Sequence, residues 1–216
     1  MIIGINGYSG SGKDTVGKII QYIMGNKGPQ GEFSFSIEKA IANPSEFDEV
    51  LEDSSDWEVK KFAGKLKDIA SHLTGIDIED FEDQDFKKTN LGREWWTTCD
   101  EGWQPMTVRD FLQKLGTDAM RNGLHDNVWV NALMADYDED SNWVVTDTRF
   151  PNEAMAIKEK GGIIIRIDRP GVKPINDHPS EVALNGWNFD YKIANVSDLI
   201  SLTFTVENIL KHAKIL

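Results

Sequence analysis

A single cysteine excludes an intrachain disulfide, so Cys99 reads as a free structural thiol in a chain suited to a reducing compartment. Positive charge is scarce too. The 23 Lys and Arg residues stand against 36 Asp and Glu, a formal net charge of −13 at pH 7. A surface of that sign repels duplex DNA and anionic membranes, and neither is an expected partner. Small anions remain open, because a local site can be positive inside an acidic protein. No apolar run approaches membrane-spanning length, and the N-terminus lacks the basic-then-apolar pattern of a secretory signal. The chain reads as soluble and intracellular. Repeats, low-complexity tracts, a zinc-type Cys/His cluster and a serine nucleophile elbow are also missing.

What is present begins at once. Residues 2 to 15 run Ile-Ile-Gly-Ile-Asn-Gly-Tyr-Ser-Gly-Ser-Gly-Lys-Asp-Thr: an apolar run, a glycine-rich loop, then Lys13. Gly7 and Gly12 flank four residues and Lys13 follows directly, the spacing of a phosphate-binding P-loop. The glycines let successive N–H groups point at phosphate oxygens. The first helical turn adds its positive dipole end, and Lys13 adds a full charge. Gly10, Ser11, Gly12, Lys13, Asp14 and Thr15 are the expected nucleotide-binding residues. The hydroxyl residue usual straight after the lysine is replaced by Asp14 and arrives one position later, at Thr15.

With 216 residues and 40% hydrophobic content, the chain can bury one full core and a small inserted subdomain. Val16, Ile19, Ile20 and Ile23 predict a helix after the loop, stopped at Gly25-Asn26-Lys27-Gly28-Pro29. Residues 30–56 read as an acidic, irregular excursion from the core. Trp57 to Phe62 suits a second strand, and Leu66, Ile69, Ala70 and Leu73 stripe a helix ending near Gly75. The stretch 77–102 is polar, with Trp95 and Trp96 as a pair that can pack or stack on a nucleobase. Thr107 and Asp110 form a capping-box pattern opening a helix through Phe111, Leu112, Leu115 and Met120. A further helix covers about 127–137. Strands are expected at 143–146, 163–167 and 191–194, with Pro151 in the first turn of one helix and a closing helix over 198–216. Strands alternating with helices imply an α/β fold: a mostly parallel sheet with helices on both faces, binding its ligand beyond the strands' carboxyl ends.

That rule selects the residues that follow strands. Asp147 ends an apolar strand and is either a Mg²⁺-side acid or a turn aspartate. The sequence from Asp147 to Pro151 has no adjacent glutamate to activate water and offers Arg149 instead, whose planar fork suits phosphate oxygens. Arg109, in a first helical turn, sits against the helix dipole, consistent with a bound anion or with a pairing to Asp110 or a neighbour. Lys114 and Arg121 read as solvent-facing, within reach of a phosphate. Arg169 enters a loop, where it can stabilise transferring charge, whereas Arg166 reads as snorkelling from a strand. His178 and Glu181 are open between structural and catalytic roles.

Taken together the chain resembles the phage-type deoxynucleoside monophosphate kinases, a P-loop nucleoside-monophosphate kinase family, over nearly its whole length. The resemblance rests on the loop just described, on Arg109-Asp-Phe-Leu-Gln-Lys-Leu-Gly-Thr117, on Asp126-Asn-Val-Trp-Val-Asn131 and on Thr146-Asp-Thr-Arg-Phe-Pro-Asn-Glu153. His178-Pro-Ser-Glu181 and Asp190-Tyr-Lys-Ile-Ala-Asn195 add to it. It implies transfer of the ATP γ-phosphoryl group to a deoxynucleoside 5′-monophosphate with ATP and Mg²⁺. The Lys-x-Thr arrangement, shared with nucleoside-monophosphate kinases, makes Thr15 the Mg²⁺-side hydroxyl beside Asp147. Lys13, Arg149 and Arg169 would be catalytic, and Arg109, Lys114, Asp147 and Arg149 would bind the acceptor. The expected layout is one P-loop domain over 1–216 with a helical substrate-binding insertion at about 63–138. The partners are small molecules, a homodimer is left open, and the location is cytoplasmic, in a host cell if phage-encoded. Asp14 departs from the small residue common at its position in cellular relatives, 26–56 matches no motif, and no long lid is present. A kinase of another phosphorylated metabolite, or a nucleotide-dependent switch or ATPase, is the competing reading.

Overall fold

A strand covered on both faces needs a continuous apolar run, and Ile2–Asn6 (β1) is buried at every position. The computed structural model describes residues 1–27, 33–99 and 102–216. Of the expected helix stop at 25–29, Gly25 ends the helix as anticipated, while residues 28 and 29 and the Cys99 thiol lie outside the described part. The described residues divide into two compact units, one of Met1–Lys61 with Tyr137–Leu216, the other Phe62–Asp136.

In the first unit β1 leads through the glycine loop into Lys13–Gly25 (α1), whose Val16, Ile19, Ile20 and Ile23 are buried at helical spacing. The region expected to be irregular instead holds two helices, Ile37–Ala42 (α2) and Pro44–Ser54 (α3), followed by the strand Trp57–Lys60 (β2). The acidic residues are the outer faces of these helices. Their apolar residues Ile37, Ala40 and Leu51 join the core around α1, with Phe33, Phe35 and Phe47 packed against it. Ser36 caps α2 by accepting from the Lys39 N–H, and Pro44 opens α3. A long acidic stretch with sparse apolar residues masked this period.

The second unit opens with Gly64–Thr74 (α4), which ends at Gly75 in the left-handed region at φ 72°. Leu73, assigned to its buried stripe, is 51% exposed. The polar stretch that follows holds short 3₁₀ turns and a hairpin of Thr97–Cys99 (β3) and Gly102–Gln104 (β4). Thr107 then makes the anticipated capping box with Asp110, starting Val108–Gln113 (α5). The helix widens over Lys114–Asn122 into a π-helical stretch, and the Gly116 carbonyl accepts from Trp129 Nε1 at 2.8 Å. Trp129 belongs to Val128–Met134 (α6). Ala70, Phe81, Leu91, Val108 and Phe111 form the core of this unit. Trp95 meets Phe111 edge-on at 4.9 Å, and Trp96 Nε1 donates to the Leu91 carbonyl, so both tryptophans serve packing.

The chain re-enters the first unit with Asn142–Val145 (β5), Pro151–Glu159 (α7), Ile163–Asp168 (β6), Pro179–Val182 (α8), Tyr191–Ala194 (β7) and Leu199–His212 (α9). Among the described residues the sheet has the order β2-β5-β1-β6-β7, every pairing parallel. Ile3, Ile5, Val144, Ile165 and Ile167 face α1 and α9. The alternate positions turn the other way: Ile157 of α7 and Ile164 approach so closely that a Cβ on Gly4 would lie 2.8 and 2.7 Å from them. Helices therefore cover both faces, as the sequence pattern implied. Successive connections leave β1 toward β2 and β5 on one side and toward β6 and β7 on the other. This is a topological switch point, and sheets of this kind bind ligand in the crevice beyond the carboxyl ends of the strands there. Among the described residues no helix is long and apolar enough to cross a membrane.

If α3 is an integral wall of the core, Leu51→Ala removes a fully buried side chain and lowers stability by about 2–5 kcal/mol. Urea denaturation measures it, and a loss below about 1 kcal/mol would show α3 to be peripheral.

Candidate active site

The residues after β1 form the floor of the crevice. Tyr8 O accepts from the Ser11 N–H at 3.1 Å, closing the loop, and Gly12 turns into α1 at φ 101°. A side chain at Gly12 would be strained at that φ, and its Cβ would lie 2.7 Å from Asn195 Nδ2. Gly7 is equally tight, since a Cβ there would stand 2.7 Å from the Ile167 carbonyl. Having no side chain, Gly12 leaves the first-turn N–H groups of α1 uncapped from within, at the positive end of the helix. Ser11 Oγ is buried with no hydrogen-bond partner among the described residues. An unpaired buried hydroxyl is costly, and a phosphate oxygen in the loop would satisfy it.

Lys13 lies within this loop, 8% exposed, its Nζ donating to Tyr8 O at 2.9 Å. Burial pushes its pKa down to about 8, and the Arg149 charge pushes the same way. Asp14, Glu181 and Asp147 oppose the shift, so all four charged groups bear on Lys13. Asp14 is two-thirds exposed. Its carboxylate accepts from Thr146 Oγ1 at 3.1 Å and pairs with Lys61 at 3.4 Å. Burial would raise its pKa, but Lys61 and Thr146 outweigh that and hold it below the usual carboxylate value. The unusual acid after the lysine thus links α1 to the end of β5.

The residues after β5 form one wall. Thr148 is fully buried, its N–H on the Ile5 carbonyl. Buried Glu153 in the first turn of α7 accepts from the N–H groups of Arg149 and Phe150 at 2.7 and 3.0 Å, which fixes the turn. Arg149 Nη1 donates to Glu181 Oε1 at 2.6 Å and to the Ser180 carbonyl at 3.3 Å. The opposite wall follows β6. Arg169 Nη1 reaches the Gly10 carbonyl at 3.4 Å, a long contact from an exposed side chain. Arg166 does not snorkel. It is 7% exposed and donates to Asn6 Oδ1 at 2.5 Å and Asp168 Oδ1 at 2.7 Å, with its guanidinium 4.5 Å from the Tyr8 ring centroid. A strand-end arginine this deep needs both partners to offset its desolvation.

Lys13, Asp14, Asp147 and Arg149 thus come together in the first unit, with Thr15 beside them on α1. Arg109 and Lys114 belong to the second unit. There Arg109 Nη2 donates to Gln84 Oε1 at 3.0 Å rather than pairing with Asp110, and Lys114 is exposed. Arg121, expected to face solvent, is 5% exposed and donates to the Asp126 carbonyl. Sequence reasoning set Arg166 aside as snorkelling and missed Asn6 and Asn195. Asn195 Nδ2 donates to the Ser11 carbonyl at 2.9 Å, bracing the loop from beyond β7. Its only advance sign was its place at the end of the Asp190–Asn195 stretch.

A parallel sheet whose central strand runs through such a loop into a helix, with an acid and an arginine after the neighbouring strand, defines a phosphotransferase of the P-loop kinase class. Comparison with known proteins narrows this. A family model described as deoxynucleotide monophosphate kinase matches residues 43–206, and the chain belongs to that family. The match begins after the glycine loop, so loop and family are independent observations. A protein of Acanthamoeba polyphaga mimivirus named for the same activity is 35% identical over 151 residues, covering 63% of this chain and 74% of its own. The deoxynucleotide monophosphate kinase of Enterobacteria phage T4 is 30% identical over 141 residues, 63% of this chain and 57% of the phage protein. The matched stretch thus spans a little over half of the phage T4 protein. The deoxynucleoside-5′-monophosphate kinase of Escherichia phage T5 is 24% identical over 229 residues, 93% of this chain and 92% of the phage protein.

Because the fold penalises the Lys13 ammonium, removing that charge stabilises the protein. The cost is present in full below about pH 8 and fades as pH rises toward 10.5, where the unfolded chain also loses its proton. Lys13→Met is expected to raise unfolding stability by about 1–3 kcal/mol at pH 7, with a smaller gain at pH 9.5. Chemical denaturation at both pH values checks this, and a gain that does not shrink with pH would refute it.

Proposed function

We propose that this protein transfers the γ-phosphoryl group of ATP to deoxynucleoside 5′-monophosphates, giving the diphosphate and ADP. The convergence of Lys13, Asp147 and Arg149 at the carboxyl ends of β1 and β5 carries the reading. Phosphoryl transfer asks a protein mainly to position two anions and to stabilise charge on the moving group. The loop N–H groups, Ser11 Oγ and the Lys13 ammonium hold the donor phosphates. Arg149 grips the acceptor phosphate through its planar fork, and Arg169 stabilises charge from the other wall. Arg109 and Lys114, which the family resemblance implies as acceptor-binding residues, belong to the second unit, 62–136.

The donor set also suits Mg²⁺. Among the described residues no group of three acidic, His or Cys side chains is placed to cage a metal. Mg²⁺ needs no such cage, being held through one or two carboxylates, water and the nucleotide's phosphates. Thr15 and Asp147 would hold it, and when bound it neutralises charge on the β- and γ-phosphate oxygens. Against an ATPase, the position after the strand-end acid is the fully buried Thr148, which has no carboxylate to activate water. The names of the relatives support a deoxynucleotide acceptor. We place the enzyme in the cytoplasm, that of the host cell if it is phage-encoded.

Purified protein with Mg²⁺-ATP and each common deoxynucleoside or ribonucleoside monophosphate should form a diphosphate with one or more deoxynucleotides, and little ADP without an acceptor. Lys13→Ala should abolish transfer while circular dichroism shows the fold retained; turnover at the unsubstituted rate in that variant, or ADP release indifferent to the acceptor, would sink the reading. Bound phosphates favour the charged form of Lys13, so ATP affinity should weaken up to about tenfold per pH unit above about pH 8. Calorimetric titration across pH 7–9.5 tests this.

A further inference from the structure

We propose that Glu181 is a positioning residue for phosphoryl transfer, holding the Arg149 guanidinium in the orientation from which it engages the acceptor phosphate. The proposal rests on the kinase reading above. Glu181 is a carboxylate on a four-residue helix, α8, and its side chain is only 4% exposed. A buried carboxylate needs a close cation, and here that cation is Arg149, at 2.6 Å. Arg149 has 35% of its side chain exposed. Its bonds to Glu181 and Ser180 both use Nη1, while an arginine fork carries five N–H donors. One end of the fork is thus tied into the protein, which leaves a fixed edge for a planar, charge-assisted grip on phosphate.

The anchor is itself held. His178 Nδ1 accepts from the Ser180 N–H at 3.2 Å at the start of α8, and beyond its end Asn185 Oδ1 accepts from Tyr8 OH at 2.9 Å. The segment carrying Glu181 is therefore bonded both to the strand-end arginine and to the glycine loop. A long, flexible side chain braced in this way keeps its geometry when substrate arrives, and catalysis by positioning depends on that.

Two variants separate charge from geometry. Glu181→Gln keeps an oxygen that can accept from Nη1 and removes the charge. Glu181→Asp keeps the charge and withdraws it by one methylene. Steady-state kinetics with a deoxynucleoside monophosphate and thermal melting would be measured on both. In folded protein each variant should lower kcat about tenfold to a hundredfold, with the acceptor KM unchanged or lower. A kcat within twofold of the unsubstituted enzyme in folded Glu181→Gln overturns the proposal. So does a kcat that falls only in step with the folded fraction seen by thermal melting, since a merely structural contact would behave that way. Absence of transfer by the unsubstituted protein in the same assay would mark failure of the kinase reading itself, and would overturn the proposal with it.

Discussion

The Lys13 ammonium sits almost out of water, behind a loop whose backbone curls around it, and most of the surrounding arrangement follows from the cost of keeping it there. A buried cation needs acceptors and opposite charge nearby. Here the Tyr8 carbonyl supplies the first, and Asp14, Asp147 and Glu181 supply the second. The loop cannot relax away from the lysine, because Asn195 braces it at Ser11 and Gly12 while Ile167 crowds Gly7. The fold thus carries a destabilised charge at the spot where an anion would relieve it. Stability and the proposed nucleotide role are opposed at this one residue.

A second layer of buried polar groups makes the strand ends act together. Asn6 uses both ends of its amide: Oδ1 accepts from Arg166, and Nδ2 donates to the Thr148 carbonyl at 2.7 Å. One side chain at the end of β1 therefore joins the wall after β5 to the wall after β6. Arg166 extends the link to Asp168 and, through its face, to Tyr8. Networks of this kind stabilise only when each member finds its partner, so a loss at Asn6 would be felt at both walls. An acidic protein can bind anions in this way, because the few cations that matter are gathered at one edge of the sheet.

Much of this was legible from residue order. β1, the loop and α1 announce themselves through five apolar or small residues, a glycine spacing and a 3.6-residue period, all local properties. So does the capping box at Thr107, where both partners lie within one turn. The segment 33–56 was not legible as helix, because two short amphipathic helices buried chiefly through Ile37, Ala40 and Leu51 look like an acidic loop until α1 is there to receive them. The π-helical widening at 114–122 was not visible either, since it relates the Gly116 carbonyl to Trp129, thirteen residues on.

The candidate site divides along the same line. Sequence alone singled out the residues to which phosphate chemistry is proposed to fall: the loop from Gly7 to Thr15, an acid at Asp147 and an arginine at Arg149. Backbone geometry and strand-end position suffice to name them. Tertiary structure decided what holds each in place. Asp14 was assigned to Thr146 and Lys61, Arg149 to Glu181, and Arg166 to Asn6 and Asp168. Asn6 and Arg166 are 160 residues apart, and they meet because β1 and β6 pair in parallel with Asn6 opposite Arg166. A long-range partner is a property of the register between strands, and no local pattern in the chain encodes it.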